Sequence, residues 1–141
     1  MRARKMPAPS AARFTLRPIG VIRSTLKSRR GAPRQGSEGA PDAWLELRAW
    51  AVEALYGMAV GDEIIVITWL HRARRDIMQV HPRSDRHNPL TGVFATRSPD
   101  RPNPLGLHPV VVRAIQGRRL RIRAIEAIDG TPVVDIKPVW K

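Results

Sequence analysis

Sixteen consecutive residues, Gly92 to Leu107, hold three prolines, two glycines and two arginines. Proline fixes φ and removes a donor, glycine opens backbone shapes closed to other residues, and arginine supplies a forked, permanent cation. Such a loop is stiff and holds cationic and amide groups in place, which suits a small anionic or polar ligand. Turn chemistry alone also allows a plainer reading, a rigid turn in which Arg97 pairs with Asp100. After Asp100 the only carboxylates are Glu126, Asp129 and Asp135, all in or beside the last strands of the chain. Asp129-Gly130 is itself an Asx-turn candidate.

Other chemistries are poorly served. The four histidines, His71, His81, His87 and His108, have neither helical nor paired spacing, which argues against a metal site. No Gly-x-Gly-x-x-Gly or phosphate-loop pattern follows a strand, so a Rossmann or nucleotide-hydrolase site is excluded. Ser98 lacks a Gly-x-Ser-x-Gly elbow. The absence of cysteine removes disulfides, thiolate metal sites and cysteine nucleophiles.

The elements that must position these residues read mostly as short strands. A first strand is expected within Leu16–Ser24, followed by a Gly- and Pro-bearing loop over Lys27–Pro41. Ala43–Tyr56 splits into a strand over Trp44–Leu47, where Leu45 and Leu47 flank Glu46, and a short helix over Trp50–Tyr56. Glu63–Leu70 is a β-branched, nearly continuous apolar run and the clearest buried strand. His71–His87 is strongly polar, with five arginines against Asp76 and Asp85. His108–Ile115 and Arg119–Glu126 form a hairpin at Gln116-Gly117-Arg118. In its second strand Leu120, Ile122 and Ala124 alternate with Arg119, Arg121 and Arg123, one face buried and one cationic. Asp129-Gly130-Thr131-Pro132 is a turn and Val133–Val139 a last strand. This pattern predicts an all-β domain, a small closed or partly closed β-barrel with one short helix.

The whole chain, at 141 residues and 43% hydrophobic, suits one domain over 14–141 behind a disordered basic tail over 1–13. Its formal net charge is +13, and Met1–Ser37 holds ten Lys/Arg and no acid. That excess favours a polyanionic partner, nucleic acid ahead of a membrane surface. No apolar run approaches the roughly 20 residues that cross a bilayer. A cytoplasmic protein is the simplest expectation.

Gly92–Leu107 resembles the signature of the TrmO (TsaA-like) tRNA methyltransferases. Three other segments agree with that family, in its order. They are Ile19-Gly20-Val21-Ile22-Arg23-Ser24, Pro33-Arg34-Gln35, and Asp129-Gly130-Thr131-Pro132-Val133-Val134-Asp135-Ile136-Lys137-Pro138. The resemblance implies an S-adenosyl-L-methionine enzyme built on a small β-barrel. It implies a homodimer that methylates N6 of threonylcarbamoyladenosine beside the anticodon of threonine tRNAs. Cofactor contacts are implied at Gln35 and Gly36, at His71 and Arg72, at Arg97, at Leu107, and at Glu126 to Asp129. Asn103 and Pro104 come over as active-loop residues, so Arg97, Asn103 and Asp129 are the expected catalytic set, with no metal. The longer bacterial members extend beyond the Asp-Ile-Lys-Pro segment, and their aromatic-rich run differs from Gly57–Asp76 here.

Methyl transfer from a sulfonium is an in-line displacement that depends on alignment, and well-oriented pairs gain roughly 7–11 kcal/mol. The acceptor nitrogen lies between a carbonyl and a purine ring and must lose a proton, to Asp129 or Glu126. Arg97 would orient the cofactor or a substrate carboxylate through a bidentate contact. The basic tail, Lys27–Arg34 and the arginines of 72–86 would attract RNA. Two other readings fit the residues: the same type of transferase acting on another RNA or small-molecule acceptor, and a non-catalytic RNA-binding module.

Overall fold

The computed structural model describes residues 2–3 (backbone only), 12–30, 32–33 and 39–140. Six antiparallel strands close into a barrel: β2 (Gly20–Arg23), β3 (Ala43–Leu47), β4 (Glu63–Trp69), β7 (Leu105–Gln116), β8 (Arg119–Arg123) and β9 (Pro132–Pro138), in the order β2-β3-β8-β7-β4-β9. A small side sheet joins β1 (Arg2–Ala3), β5 (Ile77–Val80) and β6 (Thr91–Gly92) in the order β1-β5-β6. The all-β closed barrel is therefore as expected. The expected short helix is a 3-10 helix over Ala49–Leu55. Most of the tail expected over 1–13 lies outside the described residues.

The alternation read from the sequence carries into the packing. Leu120 and Ile122 are fully buried while Arg119, Arg121 and Arg123 face out. Ile22, Leu45, Ile64, Val66, Val112, Ile125 and Val133 complete the interior. The hairpin turns at Gly117, whose φ of 59° suits a residue without Cβ. β2 is shorter than the expected Leu16–Ser24 because Pro18 has no N–H, and pairing starts at Ile19, whose N–H reaches the Val133 carbonyl. Gly20 is required there, since a Cβ would collide with the Glu46 carbonyl of β3.

The strand expected over Arg119–Glu126 ends at Arg123, and two further segments differ from their sequence reading. The polar stretch 71–87 contains β5, whose Ile77 and Val80 bury against Val93 in a second, small core. Gly92–Leu107 is not one loop. Gly92 ends β6, Val93–Ala95 make a 3-10 turn, residues 96–104 form the loop, and Leu105 opens β7.

Candidate active site

Strict antiparallel order sends the carboxyl ends of β2, β4 and β8 and the amino ends of β3, β7 and β9 to one mouth of the barrel. The connections 24–42, 70–104 and 124–131 therefore all meet there. The other end carries the β7–β8 hairpin and the 3-10 helix segment. The candidate residues from three distant stretches thus share one rim.

Polar contacts around the buried Asp100 tie the connections together. Asp100 accepts from the Arg74 backbone N–H (2.8 Å) and from the Arg29 guanidinium (3.1 and 3.2 Å). Arg29 also donates to the Arg72 carbonyl at 3.0 Å. The expected Arg97–Asp100 pairing is not formed; Arg29 takes that place. Arg101 donates to the carbonyls of Ser98 (2.7 Å), Val93 (2.9 Å) and Thr96 (2.7 Å), and so fixes the turn from inside. Burial, and after it the nearby Arg97 charge, lower the Arg101 pKa. Arg97 itself is exposed, with no hydrogen bond or ion pair among the described residues. A second cation beside Arg101 is a site of positive potential that an anion would relieve.

The Asn103 amide oxygen accepts from Arg75 (3.1 Å), which also donates to the Pro102 carbonyl (2.7 Å) and lies over the Trp69 ring at 5.0 Å. Pro104 is buried, and its carbonyl accepts from the Leu70 N–H. His71 and Arg72 follow β4 directly. Burial, then the Arg72 charge, lower the His71 pKa and favour its neutral form. Asp129 accepts from the Ser24 N–H (3.0 Å) and pairs with Lys27 (3.3 Å). The Ser24 bond, with lesser help from Lys27 and Arg23, holds its carboxyl below the ordinary 3.8. Gly130, at φ 84°, completes that turn, so the Asx-type role is realised. Gln35 and Gly36 lie outside the described residues.

Glu126 and Leu107 part company. Leu107 points out of the barrel wall and is 47% exposed. Glu126 turns inward from the segment 124–128, whose Ile125, Ala127 and Ile128 plug the mouth. Its Oε1 meets His108 Nδ1 at 2.5 Å, and His108 Nε2 lies 2.6 Å from Thr68 Oγ1. His108, Arg29, Arg101 and Thr68 were not singled out from sequence for the site. His108 did carry a usable signal: it shares the inward parity of Val110 and Val112 in β7, where a histidine is out of place unless partnered.

Among the described residues no cluster of three or more His, Cys, Asp or Glu could hold a metal. No helix of these residues is long and apolar enough to cross a membrane.

Comparison with known proteins adds a family. Residues 21–141 match the family model described as the tRNA-methyltransferase O N-terminal domain. A probable S-adenosyl-L-methionine-binding protein of Methanothermobacter thermautotrophicus is 40% identical over 127 residues, 89% of this chain and 90% of that protein. One of Pyrococcus horikoshii is 51% identical over 128 residues, covering 88% and 81%. The crystal structure of TrmO from Pseudomonas aeruginosa superposes with a TM-score of 0.73 at 34% identity, over 93% of this chain. The chain spans 58% of that larger protein.

Proposed function

Because this chain belongs to the tRNA-methyltransferase O N-terminal domain family, we propose that it is an S-adenosyl-L-methionine-dependent methyltransferase. We propose as its acceptor N6 of threonylcarbamoyladenosine next to the anticodon of threonine tRNA, in the cytoplasm. The observation that carries this reading is the convergence, at one mouth, of unpaired cations with an inward-turned carboxylate.

The donor set suits a zwitterionic sulfonium. Among the described residues the Arg72 and Arg97 side chains form no hydrogen bond or ion pair and are available to a carboxylate. Glu126 offers negative charge to a cation, and neutral His71 offers a hydrogen-bonding ring. These residues, with Asp129 at the same rim and with Gln35 and Gly36, are the proposed binding set. When bound, S-adenosyl-L-methionine supplies an electrophilic methyl group. The chain's part is to orient and to take a proton. Arg97 holds a carboxylate by its fork, and the Arg101-braced turn keeps Arg97 in place. Asn103, held by Arg75, orients the acceptor. Glu126 receives the acceptor's N–H proton. Asp129 suits that step less well, because both its oxygens are engaged and its low pKa makes it a weak base.

Two surfaces support the proposed partners. On the outer wall, Arg23, Arg119, Arg121 and Arg123 surround Trp44, with Arg119 over its ring at 4.2 Å. This face begins at the mouth, at Arg23 and Arg123, and suits an RNA backbone. On the β4–β7 wall, Ile65 faces Pro109, Ile67 faces Leu107 and Trp69 faces Leu105. An outward apolar row of this kind suits a second copy of the chain, and a homodimer would bring Leu107 out of solvent.

Two measurements test the reading. Calorimetry with S-adenosyl-L-methionine is expected to show binding, and none would leave an RNA-binding module. Mass spectrometry of tRNA nucleosides treated with protein and cofactor is expected to show methylated threonylcarbamoyladenosine. An unchanged nucleoside with the cofactor bound would move the activity to another acceptor.

A further inference from the structure

His108 is 3% exposed and lies inside the barrel, where every other side chain on its face of β7 is apolar or absent. A histidine in that position needs both ring nitrogens satisfied. It has them: Nδ1 at 2.5 Å from Glu126 Oε1 and Nε2 at 2.6 Å from Thr68 Oγ1. Thr68 is fully buried. Gly106, paired with Thr68 across the β4–β7 ladder, leaves the space for this contact. A Cβ on Gly106 would sit 2.5 Å from Thr68 Oγ1 and 2.6 Å from His108 Nε2.

The chemistry of the partners orders the protons. A carboxylate only accepts, so His108 Nδ1 carries hydrogen and donates to Glu126. Nε2 then holds a lone pair and accepts the Thr68 hydroxyl proton. The chain Thr68→His108→Glu126 has one direction, from two buried side chains to one that reaches solvent. Its last member is the only one that reaches solvent, with 16% of the Glu126 side chain exposed.

We propose that His108 is the positioning residue of this site. Held by Thr68 at Nε2, it anchors one oxygen of Glu126 through Nδ1–H and aims the other at the acceptor. The inference rests on the methyltransferase reading above, in which Glu126 takes the acceptor proton. In that step the N–H bond breaks, its electron pair stays on nitrogen, and the proton ends on the free Glu126 oxygen. His108 changes no bond. It keeps the carboxylate from turning away when its charge is neutralised.

Nitrogen-15 NMR of the histidine side chains, on the wild-type protein without ligand, reads the tautomer directly. Hydrogen on Nδ1 with a bare Nε2 is expected, and Thr68→Val is expected to shift the Nε2 signal. Hydrogen on Nε2, or a signal indifferent to Thr68→Val, would overturn the proposal. In methyl-transfer kinetics, His108→Ala is expected to lower kcat about 10²-fold, the order set by a small misplacement of a catalytic group. KM for the methyl donor is expected to change far less than kcat. His108→Asn, whose amide N–H replaces Nδ1–H, is expected to recover most of the loss and also serves if the alanine variant does not fold. An unchanged kcat in both variants, or a loss confined to KM, would refute the role. If the wild type binds no S-adenosyl-L-methionine, the enzyme reading fails, while the tautomer still decides the hydrogen-bond chain.

Discussion

The guanidinium of Arg29 lies 3.1 Å from the carboxylate of Asp100, 71 positions further along the chain. Through its second nitrogen it also holds the Arg72 carbonyl. One side chain therefore joins the connection after β2, the start of the connection after β4, and the proline-rich loop. Asp100 is 6% exposed, so these donors compensate the burial of its oxygens.

Arg29→Ala is expected to lower stability by about 1 kcal/mol. A charged hydrogen bond is worth roughly 1.5–3 kcal/mol, reduced here because Arg29 is partly exposed. Urea denaturation would measure the stability. Cofactor affinity, read by calorimetry, is expected to fall as well. A variant with wild-type stability and affinity would show that the loops hold their places without this contact.

Arg97→Ala is expected to behave in the opposite sense. It has no hydrogen bond or ion pair among the described residues, so the melting temperature should stay within experimental scatter. Cofactor or substrate binding should weaken by about 2 kcal/mol, the scale of a charge-assisted contact. A destabilised Arg97→Ala with intact binding would make Arg97 a structural residue after all.

Asp129 sets an acid limit. Its carboxyl is held below the ordinary 3.8, first by the Ser24 N–H and then by Lys27. The native state therefore binds this proton less readily than the unfolded chain. The stabilisation is complete above the unfolded value and disappears as pH falls through the folded one. Melting curves between about pH 2 and pH 6 should show a decline on the acid side that Asp129→Asn reduces. Equal acid profiles for the two proteins would count against the Ser24 and Lys27 contacts.

The arginine wall should reveal itself through salt. If Arg123 meets a phosphate, Arg123→Ala should reduce the slope of log affinity against log salt by roughly 0.7–0.9. Filter binding of tRNA at several salt concentrations gives that slope. An unchanged slope would take RNA off the β2–β3–β8 face.

How far the sequence reached depended on whether a signal was local. Strand β8 was plain, because Leu120 and Ile122 alternate with arginines, and β4 was plain from its β-branched run. The strand at Ile77–Val80 was hidden, since four residues among arginines and aspartates show no period. Its burial depends on Val93, a partner supplied by a distant segment. The proline-rich loop was legible as a stiff, arginine-bearing segment, and Arg97 has no hydrogen bond or ion pair among the described residues. Proximity in sequence allowed Asp100 a pairing with Arg97, whereas the fold brings in Arg29. His108 looked inert as one of four scattered histidines. Only closure of the barrel sets it between Thr68 and Glu126.

Gathering the two longest connections, 24–42 and 70–104, at one mouth also separates durability from selectivity. The barrel closes through strand ladders and a hairpin made almost entirely by residues outside 24–42 and 70–104. Loop closure entropy rises only slowly with length, about 0.6 kcal/mol for each doubling. Lengthening or exchanging those connections would therefore leave the wall standing while changing what the mouth accepts. If the mouth is the site proposed above, the same barrel could be refitted to new acceptors one connection at a time, an opening for engineering that a site spread over the strands themselves would not offer.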